Sequence, residues 1–229
     1  MGLVNKLSIE KLPRGFSPKK LPGILQKVKE MAEESAIVYE GIGARPALFE
    51  TDRLIIRRFH PDDVEAVMEL ARNREQSVMK NYDHAWPTDD QGCKGATEWL
   101  ATQETMWAAC LKRELRLIGM ITFNSVDPEQ GVDLGHVWHT DFWNEGLDTE
   151  ALSLLVRYAF EHTRAASVYA GNPLECEPQL APLHAIGMEI VETREASFAT
   201  DGQGRPIVFT GCKMAITREQ WVSRDKASL

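Results

Sequence analysis

The sequence predicts an α/β protein built on a single central sheet. Segments with strand patterns alternate along the chain with segments that carry apolar residues at helical spacing, an order typical of α/β domains. A strong helical stripe of apolar residues begins at the glycine-bearing turn around Gly146. The last two predicted strands flank Asp201–Gly204, whose Asp-Gly sequence is typical of a hairpin turn.

The predicted elements follow one another from Thr51 onwards. The strand patterns cover residues 51–59, 106–112, 115–124, 132–139, 167–171, 188–198 and 207–216. The helical patterns cover residues 61–71, 88–105, 146–163 and 179–186. Pro61 opens the first helix, Thr88 is the predicted N-cap of the second, and Gly187 closes the last.

The chain of 229 residues predicts one full domain with an additional segment. Residues 1–48 form an N-terminal extension with one amphipathic helix from Leu21 to about Tyr39, which is expected to pack on the domain or act as a lid or partner helix. Residues 49–222 form the α/β domain, and residues 223–229 form a C-terminal tail.

Charge and composition exclude several classes of function. The formal net charge is -8, although residues 1–48 are basic, so the domain itself is strongly acidic. An acidic domain argues against nucleic acid as a partner, because phosphate contacts need clustered Lys and Arg. No apolar run reaches membrane-spanning length and no secretory signal is visible, which predicts a cytoplasmic protein without a membrane partner. The four cysteines are widely spaced and indicate neither a zinc site nor disulfides.

The stretch Val132–Leu152 carries the most chemical information. A predicted strand, a turn with Gly146 and a long helix together make an anion site, because free N–H groups of the first helical turn point at the ligand. The helix dipole favours negative charge at the same place. One glycine before a helix is common, so this pattern alone leaves a purely structural turn equally open.

The ordered set of motifs resembles a known family. Residues 50–57 with Asp62 and Asp63, residues 117–121, and Asp133–Trp138 followed by Phe142–Leu152 are similar to GNAT (GCN5-related) N-acetyltransferases of the RimJ/RimL-like branch. The matches run in the same order across residues 50–216. Residues 1–48 have no counterpart in this pattern.

The resemblance implies a GNAT fold, with a mixed sheet whose fourth and fifth strands splay apart and helices on both faces. It implies an acyltransferase that moves an acyl group, in the simplest case acetyl from acetyl-CoA, directly to a small-molecule amine or a peptide N-terminus, in a monomer or a homodimer. The cofactor-binding positions are the backbone of Val137, Trp138 and His139 for the pantetheine arm, and a turn for the diphosphate that comprises Trp143, Asn144, Glu145, Gly146, Leu147, Asp148 and Thr149.

Three residues are candidates for acid–base chemistry. Asp133 occupies the position where relatives often carry a carboxylate on the fourth strand, and a partly desolvated carboxylate serves as a base. His136 and His84 are further catalytic candidates, because histidine titrates near neutral pH. His136 and His139 are three residues apart and face opposite sides of a regular strand, so no shared metal site is expected. For each of these residues an ordinary structural role is the alternative.

The family's phosphate turn is altered in this chain. Trp143 and Asp148 replace its outer polar and small residues, and Asp148 places a carboxylate where a diphosphate is expected. The alternative is that Asp148 is an ordinary first-turn acid that points outward. Cys176 and Gln179 replace a later Asn and Ser, so no general acid is identifiable. Two further hypotheses follow: an enzyme with CoA-independent lyase, isomerase or decarboxylase chemistry on the same fold, and a non-catalytic binding module.

Overall fold

The structure, a computed structural model, describes residues 48–127 and 129–227. Apart from Leu48, the predicted N-terminal extension and its amphipathic helix lie outside the described residues. Two compact units are distinguished: residues 48–73 with 86–120, and residues 74–85 with 121–227. None of the described helices is both long and apolar enough to cross a membrane.

The first unit contains the antiparallel strands β1 (Phe49–Glu50), β2 (Leu54–Arg58) and β3 (Met106–Leu111), and the start of β4 (Leu117–Asp127). Helix α1 (Val64–Gln76) begins here, and helix α2 (Asp90–Thr102) follows it. The apolar faces of the strands form the core, in which Leu54, Ile56 and Trp107 are almost fully buried. A short 3-10 turn, Pro61–Asp63, leads into α1.

One carboxylate organises the entry to α1. Asp63 is buried, and its two carboxylate oxygens accept hydrogen bonds from the Arg57 guanidinium at 2.8 and 2.9 Å. Asp63 also accepts from the backbone N–H of His60 at 2.8 Å. Because a buried charge is tolerated only when it is paired and hydrogen-bonded, this bidentate ion pair defines how the chain passes from β2 into the helix.

The second unit contains the rest of β4 and the strands β5 (Gly131–Trp138), β6 (Ser167–Pro173), β7 (Glu189–Thr200) and β8 (Pro206–Thr217). Its helices are α3 (Leu147–His162), α4 (Glu177–Ala185) and α5 (Arg218–Ala227). Strands β5 and β6 run parallel, whereas β6, β8 and β7 pair antiparallel in that order. Helix α3 packs beside β6 and α4. Its buried residues recur at helical spacing and include Leu147, Ala151, Leu155 and Tyr158.

Hydrogen bonding joins the eight strands in the order β1-β2-β3-β4-β5-β6-β8-β7. The predicted α/β class with one mixed central sheet is therefore confirmed. The predicted fourth and fifth strands are β5 and β6, because the structure adds the short β1 at the start.

Several boundaries differ from those predicted. The N-cap of α2 is Asp89 rather than Thr88, since the Asp89 carboxylate accepts from the backbone N–H of Gly92 at 2.9 Å. Helix α1 extends to Gln76, five residues beyond its predicted end. Helix α5 has no predicted counterpart and crosses the expected start of the C-terminal tail. Arg218 is the first residue of α5, and its guanidinium fixes the start of the helix by donating to the carbonyl oxygens of Phe160, Thr163 and Ala165.

Candidate active site

Strands β5 and β6 part from each other within the sheet. They pair only at Val132↔Val168 and Asp133↔Tyr169, yet β5 continues to Trp138 and β6 continues to Pro173. Beyond the second pair, the facing edges of the two strands are not joined by ladder hydrogen bonds. The backbone and side chains at these edges are therefore available to a ligand, as the resemblance implies for the fourth and fifth strands.

A cavity of about 250 Å³, here called the splay cavity, opens at this point. Residues 136–138 of β5, residues 171–173 of β6, Gln179 of α4 and Phe198 of β7 line it. The other lining residues lie between Arg74 at the end of α1 and Asp83, a segment that contains the 3-10 turn Val78–Asn81. All of its lining residues belong to the second unit. The predicted pantetheine positions Val137 and Trp138 are among them.

The splay cavity is lined by polar groups that lack partners. Within the described part of the chain, both ring nitrogens of His136, Nε1 of Trp138 and Nδ2 of Asn172 are shielded from solvent and make no hydrogen bond. Burial lowers the pKa of His136 to about 4, so its imidazole is neutral at physiological pH and carries one N–H. Unsatisfied buried donors are costly, and three residues that line this cavity carry one each, which favours a ligand whose acceptor atoms reach them.

A second cavity of about 370 Å³, here called the sheet cavity, lies over strands β5, β6, β8 and β7. Gly171 of β6 and Gly211 of β8 leave its floor without side chains, and Asp133 and Lys213 stand on the same floor. Tyr82, Phe198 and Phe209 form an aromatic wall, with ring centroids 5.1 Å apart for Tyr82 and Phe209 and 5.8 Å for Phe198 and Phe209.

Asp133 is the carboxylate of the sheet cavity whose surroundings change its acid–base properties most clearly. It is half-buried, and burial raises its pKa, while a hydrogen bond from Asn124 Nδ2 at 3.4 Å and the charge of Lys213 partly oppose that rise. A carboxylate with a raised pKa is a stronger base once deprotonated than an ordinary surface acid. Asp133, a candidate base from the sequence, therefore lies on the floor of a cavity as a partly desolvated carboxylate.

The two cavities adjoin each other. They share the lining residues Tyr82, Gly171, Asn172, Pro173 and Phe198. His136 and Trp138 line only the splay cavity, and Asp133 lines only the sheet cavity. This arrangement suits a reaction between two ligands that meet at β6.

The turn between β5 and α3 has the backbone expected of an anion site but carries its own carboxylate. Asn144 and Gly146 adopt positive φ values of 64° and 73°, and Gly146 makes no side-chain cap for α3. Asp148 is buried, with 5% exposure, and its carboxylate accepts from the backbone N–H of Thr149 at 2.7 Å. The outward-pointing alternative for Asp148 is therefore wrong, because this carboxylate occupies a helix N–H that an anion would otherwise use.

The other predicted turn positions differ in exposure. Trp143 is half-buried, and its Nε1 is shielded without a partner in the described structure. Asn144 and Glu145 are exposed, Leu147 is buried in the core, and Thr149 is half-buried. Leu147 therefore contributes its backbone at most, whereas the indole of Trp143 faces inward.

Neither of the remaining histidine candidates, His139 and His84, lines one of the two cavities. His139 is buried and caps a short 3-10 turn, where its Nδ1 accepts from the backbone N–H of Asp141 at 3.3 Å. His84 is exposed and contacts the ring of Phe198 at 5.7 Å without lining either cavity. Among the described residues, no group of His, Cys, Asp or Glu is arranged to hold a metal ion.

Sequence reasoning missed three lining residues, Tyr82, Asn172 and Lys213. Tyr82 lines both cavities, and burial raises its pKa, so its phenol stays protonated at neutral pH. Lys213 is brought to the site only by the pairing of β8 with β6.

Comparison with known proteins agrees with this geometry. Residues 53–173 match the model of the acetyltransferase (GNAT) domain. An uncharacterized N-acetyltransferase, YnaD of Bacillus subtilis (strain 168), is 26% identical over 148 residues, which cover 65% of this chain and 84% of YnaD.

Solved structures show the same fold. A ribosomal-protein-S5-alanine acetyltransferase from Vibrio fischeri matches with a TM-score of 0.62 and 12% identity, over 76% of this chain and 97% of that one. The microcin C7 self-immunity acetyltransferase MccE, in complex with acetyl-CoA and AMP, matches with a TM-score of 0.58 and 12% identity, over 73% and 93%. The family model spans more than half of the sequence, and the chain belongs to the GNAT acetyltransferase family.

Proposed function

We propose that this acyltransferase uses acetyl-CoA to acetylate an amine, with Asp133 as the base. One observation carries the proposal: the parted strands β5 and β6 present unpartnered donors in the splay cavity, beside a second cavity that contains a half-buried carboxylate. The two adjoining cavities provide separate places for a donor and an acceptor of the acyl group.

The residues of the splay cavity fit the pantetheine end of acetyl-CoA. This cofactor supplies an acyl group activated as a thioester, and its arm carries amide and thioester carbonyl oxygens that accept hydrogen bonds. His136, Trp138 and Asn172 offer N–H groups that have no partner in the described structure. The structural neighbour MccE is described as bound to acetyl-CoA, which supports the same cofactor for this chain.

Asp133 and the sheet cavity fit the amine. An ammonium ion entering the cavity gives one proton to Asp133, which leaves a lone pair on nitrogen. The nitrogen forms its bond to the acyl carbon as the carbon–sulfur bond breaks, and the second proton of the nitrogen balances the departing thiolate. The products are an amide and a thiol, and no residue other than Asp133 needs to change its protonation.

The diphosphate end fits less well. Asp148 already accepts a hydrogen bond from the first turn of α3, and its carboxylate would repel a diphosphate there. This observation favours a second candidate function, CoA-independent acid–base chemistry by Asp133 in the same cavities. Calorimetric titration of the full chain with CoA separates the two, because the first requires binding and the second does not.

We expect the replacement His136→Leu to weaken CoA binding about tenfold, equivalent to about 1.4 kcal/mol, because it deletes a hydrogen bond to the ligand. The same variant is expected to melt at a higher temperature than the wild type without ligand, since an unsatisfied buried imidazole is removed. His184→Leu, at an exposed position on α4, is the control and should change neither quantity much.

Calorimetry and thermal melts measure the two effects of that variant separately. Unchanged CoA affinity in His136→Leu would contradict the donor role of this histidine. No binding heat in the wild type at millimolar CoA would defeat the proposed acetyl-CoA-dependent transfer itself.

A second substitution tests the charge at the start of α3. Asp148→Ala should tighten CoA binding about tenfold, because it frees the backbone N–H of Thr149 and removes a like charge. Glu161→Ala, an exposed acid at the other end of the same helix, changes net charge equally and should leave affinity unchanged. Equal affinity of Asp148→Ala and wild type would show that the diphosphate does not approach this turn.

A further inference from the structure

The floor of the sheet cavity carries two opposite charges, those of Asp133 and Lys213. Both side chains are half-buried, and neither takes part in an ion pair among the described residues. Their charges nevertheless interact, since Lys213 is one of the groups that act on the carboxylate of Asp133. Two partly desolvated charges of opposite sign that are not joined to each other indicate a ligand that carries both complementary charges.

The strand pairing explains how the two charges become neighbours. Tyr169 of β6 pairs with Asp133 of β5, and β8 lies on the other side of β6. The Lys213 ammonium lies 4.0 Å from the centroid of the Tyr169 ring, and this cation–π contact holds it over the residue of β6 that pairs with Asp133. An α-amino acid carries its ammonium and carboxylate on a single carbon atom, so one small ligand of this kind brings a charge to each of the two side chains.

The rest of the cavity is apolar or bare. The aromatic wall of Tyr82, Phe198 and Phe209 faces a floor opened by Gly171 and Gly211. A Cβ atom added at Gly171 would meet no atom within 4 Å, so this part of the floor is open space. An apolar or aromatic side chain of the ligand would pack in that space against the rings.

The volume of the sheet cavity and the charges at its rim restrict the kind of ligand further. The cavity volume of about 370 Å³ lies near the lower end of the roughly 300–1,000 Å³ typical of small-molecule sites. Glu192 and Arg194 on β7 also line the cavity, but both are exposed and their charges cancel. A peptide N-terminus offers an amide where a free amino acid offers a carboxylate, and would leave Lys213 without its ionic partner.

We infer that the acceptor is a free α-amino acid with an aromatic or large apolar side chain, its ammonium at Asp133 and its carboxylate at Lys213. This inference rests on the proposed function, because it names the amine that Asp133 deprotonates in that reaction. It makes Lys213 a residue that determines specificity, with no part in the chemical step.

The test is calorimetric titration of the full chain, without CoA, using three probes: L-phenylalanine, L-phenylalaninamide and 3-phenylpropanoate. L-phenylalanine is expected to bind at least tenfold more tightly than the amide, which lacks the carboxylate, and than the phenylpropanoate, which lacks the amine. Equal or tighter binding of L-phenylalaninamide would overturn the inference in favour of a peptide N-terminus. The absence of binding by all three probes would overturn it as well.

Because CoA is absent, these titrations separate the inference from the proposed function. Preferred binding of L-phenylalanine by a protein that does not bind CoA would uphold the amino-acid site and defeat acetyl transfer. Turnover of L-phenylalaninamide with acetyl-CoA, at or above the rate with L-phenylalanine, would do the reverse.

Substitutions test whether Lys213 binds the carboxylate of the amino acid. Lys213→Met should weaken L-phenylalanine binding about tenfold and leave L-phenylalaninamide unaffected, and Lys213→Gln repeats the test if the first variant does not fold. Arg205→Gln, in the β7–β8 turn outside both cavities, is the matched control and should preserve both affinities. Gly171→Leu should abolish binding of L-phenylalanine by filling the open floor. An unchanged preference in both Lys213 variants would overturn the assignment.

Discussion

Replacing Asp133 with asparagine should lower kcat/KM for amine acetylation about a thousandfold. The variant keeps the size and the hydrogen-bonding geometry of the side chain but removes the base, and general-base catalysis typically contributes roughly 10²–10⁴-fold. Asn124 already donates to this position from the neighbouring strand, so the amide is expected to be accommodated without loss of fold. Steady-state release of CoA thiol measures the effect.

The pH profile of kcat provides a second signature of Asp133. An ordinary aspartate has a pKa of about 3.9, and burial raises the pKa of Asp133 above its usual range. The deprotonated, active form of Asp133 is therefore lost at a higher pH than for an ordinary aspartate. The wild type should therefore show an acidic limb that is absent from the residual activity of Asp133→Asn. Asn124→Ala, which removes a hydrogen bond that lowers this pKa, should shift the limb to higher pH.

A matched acid controls for charge. Glu195→Gln alters an exposed acid on β7 that lines neither cavity, and should leave both rate and pH profile unchanged. Wild-type kcat/KM in Asp133→Asn, with the acidic limb retained, would exclude this residue as the base and leave His136 or Tyr82 to be tested.

Much of the fold could be predicted because its signals are local. Within the part of the chain that the structure describes, the period-2 and helical patterns located seven of the eight strands and four of the five longer helices. Strand β1 has only two residues, and the start of α5 depends on Arg218 donating to carbonyls more than fifty residues away in sequence. Such contacts leave no periodic pattern, so a sequence pattern does not reveal them.

The residues of the candidate site were predictable where they lie close together in the sequence. Asp133, His136 and Trp138 occur on one strand, within a motif that the family resemblance covers, and the structure places them at the two cavities. Lys213 and Tyr82 reach the same space only through strand order and the packing of a loop. Asp148 was ambiguous for a different reason: first-turn acids usually face solvent, and only the structure shows this one buried.

The parted strands depend on a close approach at their joined end, which Gly131 makes possible. Gly131 has a φ of +104°, and a Cβ atom there would collide with the carbonyl oxygen of Ser167 and lie 3.1 Å from its carbonyl carbon. Ser167 opens β6, immediately before the first of the two β5–β6 pairs. Gly131 therefore lies at the end where β5 and β6 are in contact, and the two strands separate from there towards Trp138 and Pro173.

Gly131→Ala should lower the free energy of unfolding by about 4 kcal/mol. Backbone strain at positive φ contributes roughly 1–3 kcal/mol, and the forced displacement of a neighbouring backbone contributes a similar amount. Urea unfolding measures the loss. The same variant should weaken CoA binding, because a shift at the joined end moves the edges that carry His136 and Asn172.

Two other glycines separate strain from collision. Gly204 has a φ of +76° with no atom within 4 Å of an added Cβ, so Gly204→Ala should cost only the strain, about 1 kcal/mol. Gly171→Ala has neither strain nor collision and should stay within about 0.5 kcal/mol of the wild type. If Gly131→Ala cost no more than Gly204→Ala, the strands would tolerate a wider separation at their joined end. The geometry of the splay cavity would then have to be fixed further along β5, where Gly135 lies against Thr122 and Asn124 of β4.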